Sequence, residues 1–223
     1  MNWIPYLDEL DPLPGQCCPY ATSSPFSIDR MLQIANTQKD DVLLDIGCGD
    51  GRIAIYAAKH YGIRAIGIDI NPDLLAKAAK DAKQEGVEHL VSFKIKSFAD
   101  ESFDFKLKNI DETIESVHTY PTIFTCYLIP QALKLIEQRL KNIVRTQHIL
   151  NIDNQNTNNN NNTTTTESLE NNKVYNTRVV AYIFDMERWT HTYHDEQFKI
   201  FLYNHTSQDK VPVTVDSQNP WIL

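Results

Sequence analysis

Apolar residues alternate between two rhythms along the first hundred positions. From Pro25, the stretch PFSIDRMLQIA sets Ile28, Leu32 and Ala35 on one helical stripe, with Met31 beside them. VLLDI at 42–46 is a continuous apolar run broken only by Asp45, the pattern of a strand buried on both faces of a parallel sheet. Arg52 to Tyr61 returns to helical spacing, and Gly62 supplies a stop. RAIGIDI at 64–70 is a second buried strand. Asn71, Pro72 and Asp73 then give an N-cap, a proline at the first helical position and an acid in the first turn. That helix runs from Leu74 to Glu85 and Gly86 closes it. LVSFKIKSF at 90–98 alternates as a third strand. The order β-α-β-α-β with short links predicts an α/β fold, a doubly wound and mostly parallel sheet.

The second half carries weaker rhythms. YPTIFTCYLI at 120–129 reads as a fourth strand and Pro130 to Lys141 as the helix after it. TRVVAYIFDM at 177–186 and FKIFLYN at 198–204 read as a fifth and a sixth strand. VPVTV at 211–215 adds a seventh, antiparallel to the sixth. Between helix and fifth strand, residues 151–172 are almost all Asn and Thr. Such a stretch has too little apolar surface to offset the entropy of ordering it, and reads as a disordered insertion in a surface loop.

Charge and cysteine usage narrow the class. A net charge of -8 argues against a nucleic-acid backbone or anionic lipid as the main partner. No apolar run approaches the length of a membrane span. The acidic, proline-broken start, MNWIPYLDELDPLP, fits neither a signal peptide nor an Arg-rich transit peptide. Cys17, Cys18, Cys48 and Cys126 make no disulfide framework in a chain of 223 residues. A reduced, cytoplasmic compartment is therefore expected, and the N-x-T sequons carry no meaning there.

The chemistry concentrates where the first strand meets the next helix. Three of seven glycines, Gly47, Gly49 and Gly51, fall within five positions, flanked by Asp45 and Asp50. Glycines at such a junction let a ligand approach the backbone. A dinucleotide fingerprint needs G-x-G-x-x-G, and its third glycine is here the bulky Arg52. A pyrophosphate would also meet two carboxylates, whereas a cationic ligand would be attracted by them. Asp69, at the end of the second strand, stands where an open α/β sheet presents groups to ligands, and its carboxylate suits ribose hydroxyls.

Asp45 to Gly51 followed by Asp69 resembles motifs I and II of the class I S-adenosylmethionine-dependent methyltransferases. That resemblance covers about residues 25–205 by element order, and implies a Rossmann-like methyltransferase domain over 25–223 behind an N-terminal arm at 1–24. It implies S-adenosyl-L-methionine as cofactor. The turn of Asp45, Gly47, Cys48, Gly49, Asp50 and Gly51 would hold the amino-acid moiety; Asp69 and Ile70 would hold the ribose. Many members place an acid for the adenine amino group after the third strand; here Ser97 and Phe98 stand at that place, with Asp100 nearby. Serine accepts the same hydrogen bond, and Phe98 either stacks on the ring or packs in the core. More narrowly, DIGCGDGRIAI, GIDINP, YLIP and FDMERW are similar to small protein-lysine methyltransferases, including relatives acting on mitochondrial carrier and ATP-synthase proteins. The animal members' apolar leader has no counterpart here.

Methyl transfer is an in-line displacement at a carbon activated by the cofactor, so the protein's work is alignment and desolvation. A lysine acceptor must first lose its proton, which an aromatic, apolar slot favours. Tyr127, at the end of the fourth strand, stands where the fold presents an acceptor, and Trp189 is a second candidate. The expectation is a monomer acting on a protein lysine, with a small-molecule methyltransferase and a non-catalytic cofactor-binding module as open alternatives. No metal site is expected: His191 and His194, three apart as on one helical face, lack the partners a closed site needs.

Overall fold

The protein is described from a computed structural model, over residues 18, 20–114, 116–160 and 176–210. Five strands, β1 (Val42–Ile46), β2 (Arg64–Asp69), β3 (Val91–Ile95), β4 (Ile123–Cys126) and β5 (Arg178–Tyr182), lie parallel. Two more, β6 (Tyr193–Asp195) and β7 (Ile200–Tyr203), complete a sheet of order β3-β2-β1-β4-β5-β7-β6. β7 runs antiparallel to both of its neighbours. The chain winds outward from β1 to β3 and then crosses to β4. The order therefore reverses between β1 and β4, which opens a crevice at their C-terminal ends.

Alternation along each strand explains the unbroken apolar runs, because both faces of the sheet are covered. Leu43, Ala65, Ile123, Val180 and Ile200 point to one side, where α1 (Pro25–Ile34) and α2 (Arg52–Tyr61) bury Ile28, Leu32, Ile53 and Ala57. Leu44, Ile66, Ile68, Phe124 and Val179 point to the other, against Leu133, Ile136, Leu140 and Val144 of α5 (Pro130–Asn160). α3 (Pro72–Gln84) packs beside β3 through Ala78 and Ala82. The caps sit where the local sequence puts them. Ser24 Oγ accepts from the Ser27 amide, Asn71 Oδ1 from those of Asp73 and Leu74, and Gly62 ends α2 at a φ of 65°.

Several elements differ from expectation. The fourth helix does not stop at Lys141 but continues to Asn160. Lys141 is 3% exposed; its stem is buried and its ammonium reaches the Arg188 carbonyl and Asp209, while Val144 extends the apolar stripe beyond it. The first part of the Asn/Thr-rich stretch is thus the end of α5, and 161–172 lies outside the described residues. β6 falls in a stretch with no apolar run, and the four-residue α4 (Leu107–Ile110) is also unpredicted. The antiparallel strand is the sixth run of the sequence, whereas 211–215 lies outside the described residues. At the opposite end of the sheet from the crevice, a buried pair closes the fold: Arg178 Nη2 lies 2.6 Å from Asp41 Oδ2, and the Thr122 hydroxyl donates to the same carboxylate.

Candidate active site

The turn after β1 is shaped by three glycines with φ of 72°, 53° and 73° at Gly47, Gly49 and Gly51, the left-handed region that side chains avoid. Neighbours are close as well. A Cβ on Gly51 would lie 2.5 Å from Phe93 Cε1, one on Gly49 2.8 Å from Tyr20 Cε2, and one on Gly47 2.9 Å from Leu128 Cδ2. The turn is therefore walled by β3, by the turn after β4 and by the N-terminal arm. Cys48 is buried under it, its sulfur packed towards Gly67.

Asp45 is 2% exposed, on β1 between Gly67 of β2 and Thr125 of β4. The Thr125 hydroxyl donates to Oδ1 at 2.8 Å, and Oδ2 is buried with no hydrogen-bond partner among the described residues. Burial pushes this carboxyl up to about 7; the Thr125 bond opposes that, and the charges of Asp69 and Asp50 add to it. A cation delivered to Oδ2 would stabilise the carboxylate. Asp69 stands at the end of β2, half-buried. Its Oδ2 accepts the Gly49 amide at 2.9 Å and its Oδ1 the Asn71 amide at 2.9 Å. Two backbone donors leave a carboxylate further lone pairs for hydroxyls. Ile70 follows, also half-buried.

Asp50 plays a different part from the one its position suggests. Arg52 grips it from two positions on, Nε to Oδ1 at 2.9 Å and Nη2 to Oδ2 at 2.7 Å, and Lys77 reaches Oδ2 at 3.3 Å. Burial works to raise its pKa, but these cations and the Tyr20 hydroxyl outweigh burial and hold it at about 2. Its charge is spent inside the protein, so Asp45 is the carboxylate left for a ligand.

Tyr20 and Arg52 are the residues that sequence reasoning missed. Tyr20 lies on Gly49 with its hydroxyl at Asp50 and Arg52, while Arg52 also donates to the Ser23 carbonyl at 3.1 Å. Arm and glycine turn are thus tied together. A basic residue directly after an acidic glycine turn was the available signal for the pair; Tyr20 had none.

On the β3 side, Ser97 is half-buried, and Phe98 packs in the α5-side core with its ring edge 3.7 Å from the Cβ position of Gly47. Asp100 does not reach in: its Oδ1 accepts the amide and hydroxyl of Ser102, so it is tied into its own turn. On the β4 side, Tyr127 is half-buried and packs edge-on against Tyr182 of β5, ring centroids 4.7 Å apart. Trp189, the other acceptor candidate, is 0% exposed and stacked beside Tyr203; it is a core residue. His191 and His194 share no helix. His191 pairs with Asp185, and His194, on β6, stacks on Phe201. Among the described residues, no three His, Cys, Asp or Glu gather as a metal site, and no helix is long and apolar enough to cross a membrane.

A family profile described as a methyltransferase domain matches residues 37–209. The chain belongs to this methyltransferase family. The methyltransferase is 40% identical over 70 residues to a protein-lysine N-methyltransferase of Saccharolobus islandicus, covering 31% of this chain and 44% of that protein. It is 28% identical over 125 residues to an ATP synthase lysine N-methyltransferase of Xenopus laevis, covering 56% and 48%. It thus spans under half the length of these two relatives. Among solved structures, an RNA methyltransferase from Salinibacter ruber in complex with S-adenosylhomocysteine aligns over 88% of this chain and 99% of that one, at 28% identity and a TM-score of 0.57. The sheet is the mostly parallel, Rossmann-like sheet of such enzymes, with its antiparallel strand near the C-terminal edge. The methyl donor of this family, S-adenosylmethionine, carries an ammonium, a sulfonium and a ribose. The residues present fit it: a buried carboxylate oxygen without a partner, a glycine turn no side chain could occupy, and a second carboxylate one strand away.

Proposed function

We propose that this methyltransferase transfers the methyl group of S-adenosylmethionine to the side-chain nitrogen of a lysine in a protein substrate. The observation that carries the reading is the aromatic wall at the exits of β4 and β5. Tyr127 packs on Tyr182, and the Tyr182 hydroxyl donates to Ser27 Oγ at 3.0 Å, which fixes the pair against α1. Burial, and then the neighbouring Tyr182, raise the Tyr127 hydroxyl pKa, so the wall stays uncharged. An uncharged, largely apolar wall disfavours an ammonium and favours the neutral amine that methyl transfer requires. The likeness to two lysine methyltransferases supports the same substrate class. In this reading the ammonium of the cofactor meets Asp45 Oδ2, its ribose hydroxyls meet Asp69, and its base lies by Ser97 and Phe98. The cofactor supplies the activated methyl carbon, and the chain aligns the amine and excludes water.

A second reading follows from the Salinibacter ruber protein, described as an RNA methyltransferase. The net charge of -8 weighs against it, because phosphate contacts dominate nucleic-acid affinity. Incubation of the protein with methyl-labelled cofactor and a cell extract separates the two. The expected label resists ribonuclease, is released by protease and appears as methyl-lysine after hydrolysis. Label in RNA would establish the second reading, and label only in small molecules would refute both.

Tyr127→Ala should cut methyl transfer about tenfold or more, as loss of acceptor positioning does, while cofactor affinity stays within a fewfold. Titration with S-adenosylhomocysteine beside single-turnover rates checks this. A joint collapse of folding and cofactor binding would instead make Tyr127 a core residue.

A further inference from the structure

The turn between β3 and α4 is held by one side chain that none of the chemistry above uses. Arg139, on α5, donates from Nη1 to the carbonyls of Asp100 at 2.9 Å and Phe103 at 3.1 Å. From Nη2 it donates to the Phe98 carbonyl and, at 3.1 Å, to the Leu135 carbonyl of its own helix. Its guanidinium also stands over the Phe105 ring, 5.1 Å from the centroid. Three carbonyls of one short turn thus converge on a single planar cation. The backbone beyond them is strained, for Phe105 has a φ of 60° although it is a bulky residue and fully buried. Such a conformation persists only when its surroundings over-determine it. Phe105 is clamped between Arg139, Phe103 at 4.8 Å and Phe124 at 6.0 Å.

The location gives this clamp a use. In the sheet order β3-β2-β1, a ligand with its ammonium at Asp45 on β1 and its ribose at Asp69 on β2 extends its base towards the exit of β3. The first residues there are Ser97 and Phe98. The Lys96 amide is bonded to the Asp69 carbonyl at 3.1 Å, and the ring edge of Phe98 faces Gly47. The Phe98 carbonyl is one of the three that Arg139 gathers.

We infer that Arg139 is a positioning residue for the adenine end of the cofactor, fixing through the turn carbonyls the wall formed by Ser97 and Phe98. The inference rests on the cofactor reading above and adds what holds its base in place. A lysine at 139 keeps the charge but has no fork to bridge three carbonyls. A methionine keeps the volume and leaves those carbonyls to water.

The test compares two ligands by calorimetry with the full chain: S-adenosylhomocysteine, and S-ribosylhomocysteine, which lacks the base. Their affinity ratio isolates what the adenine contributes. Being a ratio of dissociation constants, it does not depend on the fraction of a variant that is folded. In Arg139→Met the ratio should shrink about tenfold, with Arg139→Lys intermediate and S-ribosylhomocysteine affinity unchanged in both. A purely structural arginine would lower the melting temperature and leave the ratio at its wild-type value, and that result in both variants would overturn the inference. Wild-type protein that binds the two ligands equally would also overturn it, while leaving the cofactor reading intact. Wild-type protein that binds neither would refute the cofactor reading itself, and the inference with it.

Discussion

Asp69→Ala should weaken binding of S-adenosylhomocysteine about a hundredfold, and Asp69→Asn about tenfold. Charge-assisted hydrogen bonds contribute roughly 1.5–3 kcal/mol each, and two ribose hydroxyls on one carboxylate do not add fully. Asp69 also accepts the amides of Gly49 and Asn71, so alanine frees the glycine turn as well as the ribose. Asparagine can keep one of those backbone bonds but turns its amino group on a donor. The two effects separate with the 2′-deoxy form of S-adenosylhomocysteine. If Asp69 holds the ribose, wild-type protein should lose affinity for the deoxy ligand and Asp69→Ala should be indifferent to it. Strictly additive losses in that cycle would mean that Asp69 shapes the turn and the ribose is held elsewhere.

What was legible in the sequence was local. Gly62 and Asn71 announce helix boundaries because their conformations and hydrogen bonds involve residues within four positions. β1 and β2 are legible because a parallel strand covered on both faces must be apolar throughout. β6 escaped because its three residues, Tyr, His and Asp, carry no period. It is held instead by β7 and by the ion pair of Asp195 with Arg30, 165 residues away in the chain. Lys141 looked like a helix end because a lysine reads as solvent-facing, and only the arrival of Asp209 and the Arg188 carbonyl makes its burial tolerable. In the site, the glycine turn and Asp69 declared themselves by spacing. The division of labour between Asp45 and Asp50 did not. It depends on Thr125, 80 residues from Asp45, and on Lys77, which with Arg52 neutralises Asp50.

That division carries the strongest pH dependence expected of the protein. An acid whose folded pKa lies above its usual 3.8 binds its proton more tightly in the folded state, so its contribution to stability is largest at low pH. For Asp45 that contribution falls away as pH rises from about 4 to about 7. Ligand affinity runs the opposite way. The ammonium of the cofactor pairs with the carboxylate, not with the acid, so binding must expel the proton wherever Asp45 is still protonated. Below about 7 each pH unit should then cost a factor approaching ten in affinity, or about a hundredfold for S-adenosylhomocysteine between pH 8 and pH 5. Adenosine, which has the base and ribose but no ammonium, should show a much flatter profile in the same protein. Asp45→Asn should bind S-adenosylhomocysteine weakly at every pH, because the neutral amide keeps the Thr125 contact but offers no charge. Calorimetry across this range with the two ligands and the two proteins measures the effect. A profile for wild type as flat as that of Asp45→Asn would place the ammonium away from Asp45, and the buried carboxylate oxygen would then need a partner other than the cofactor.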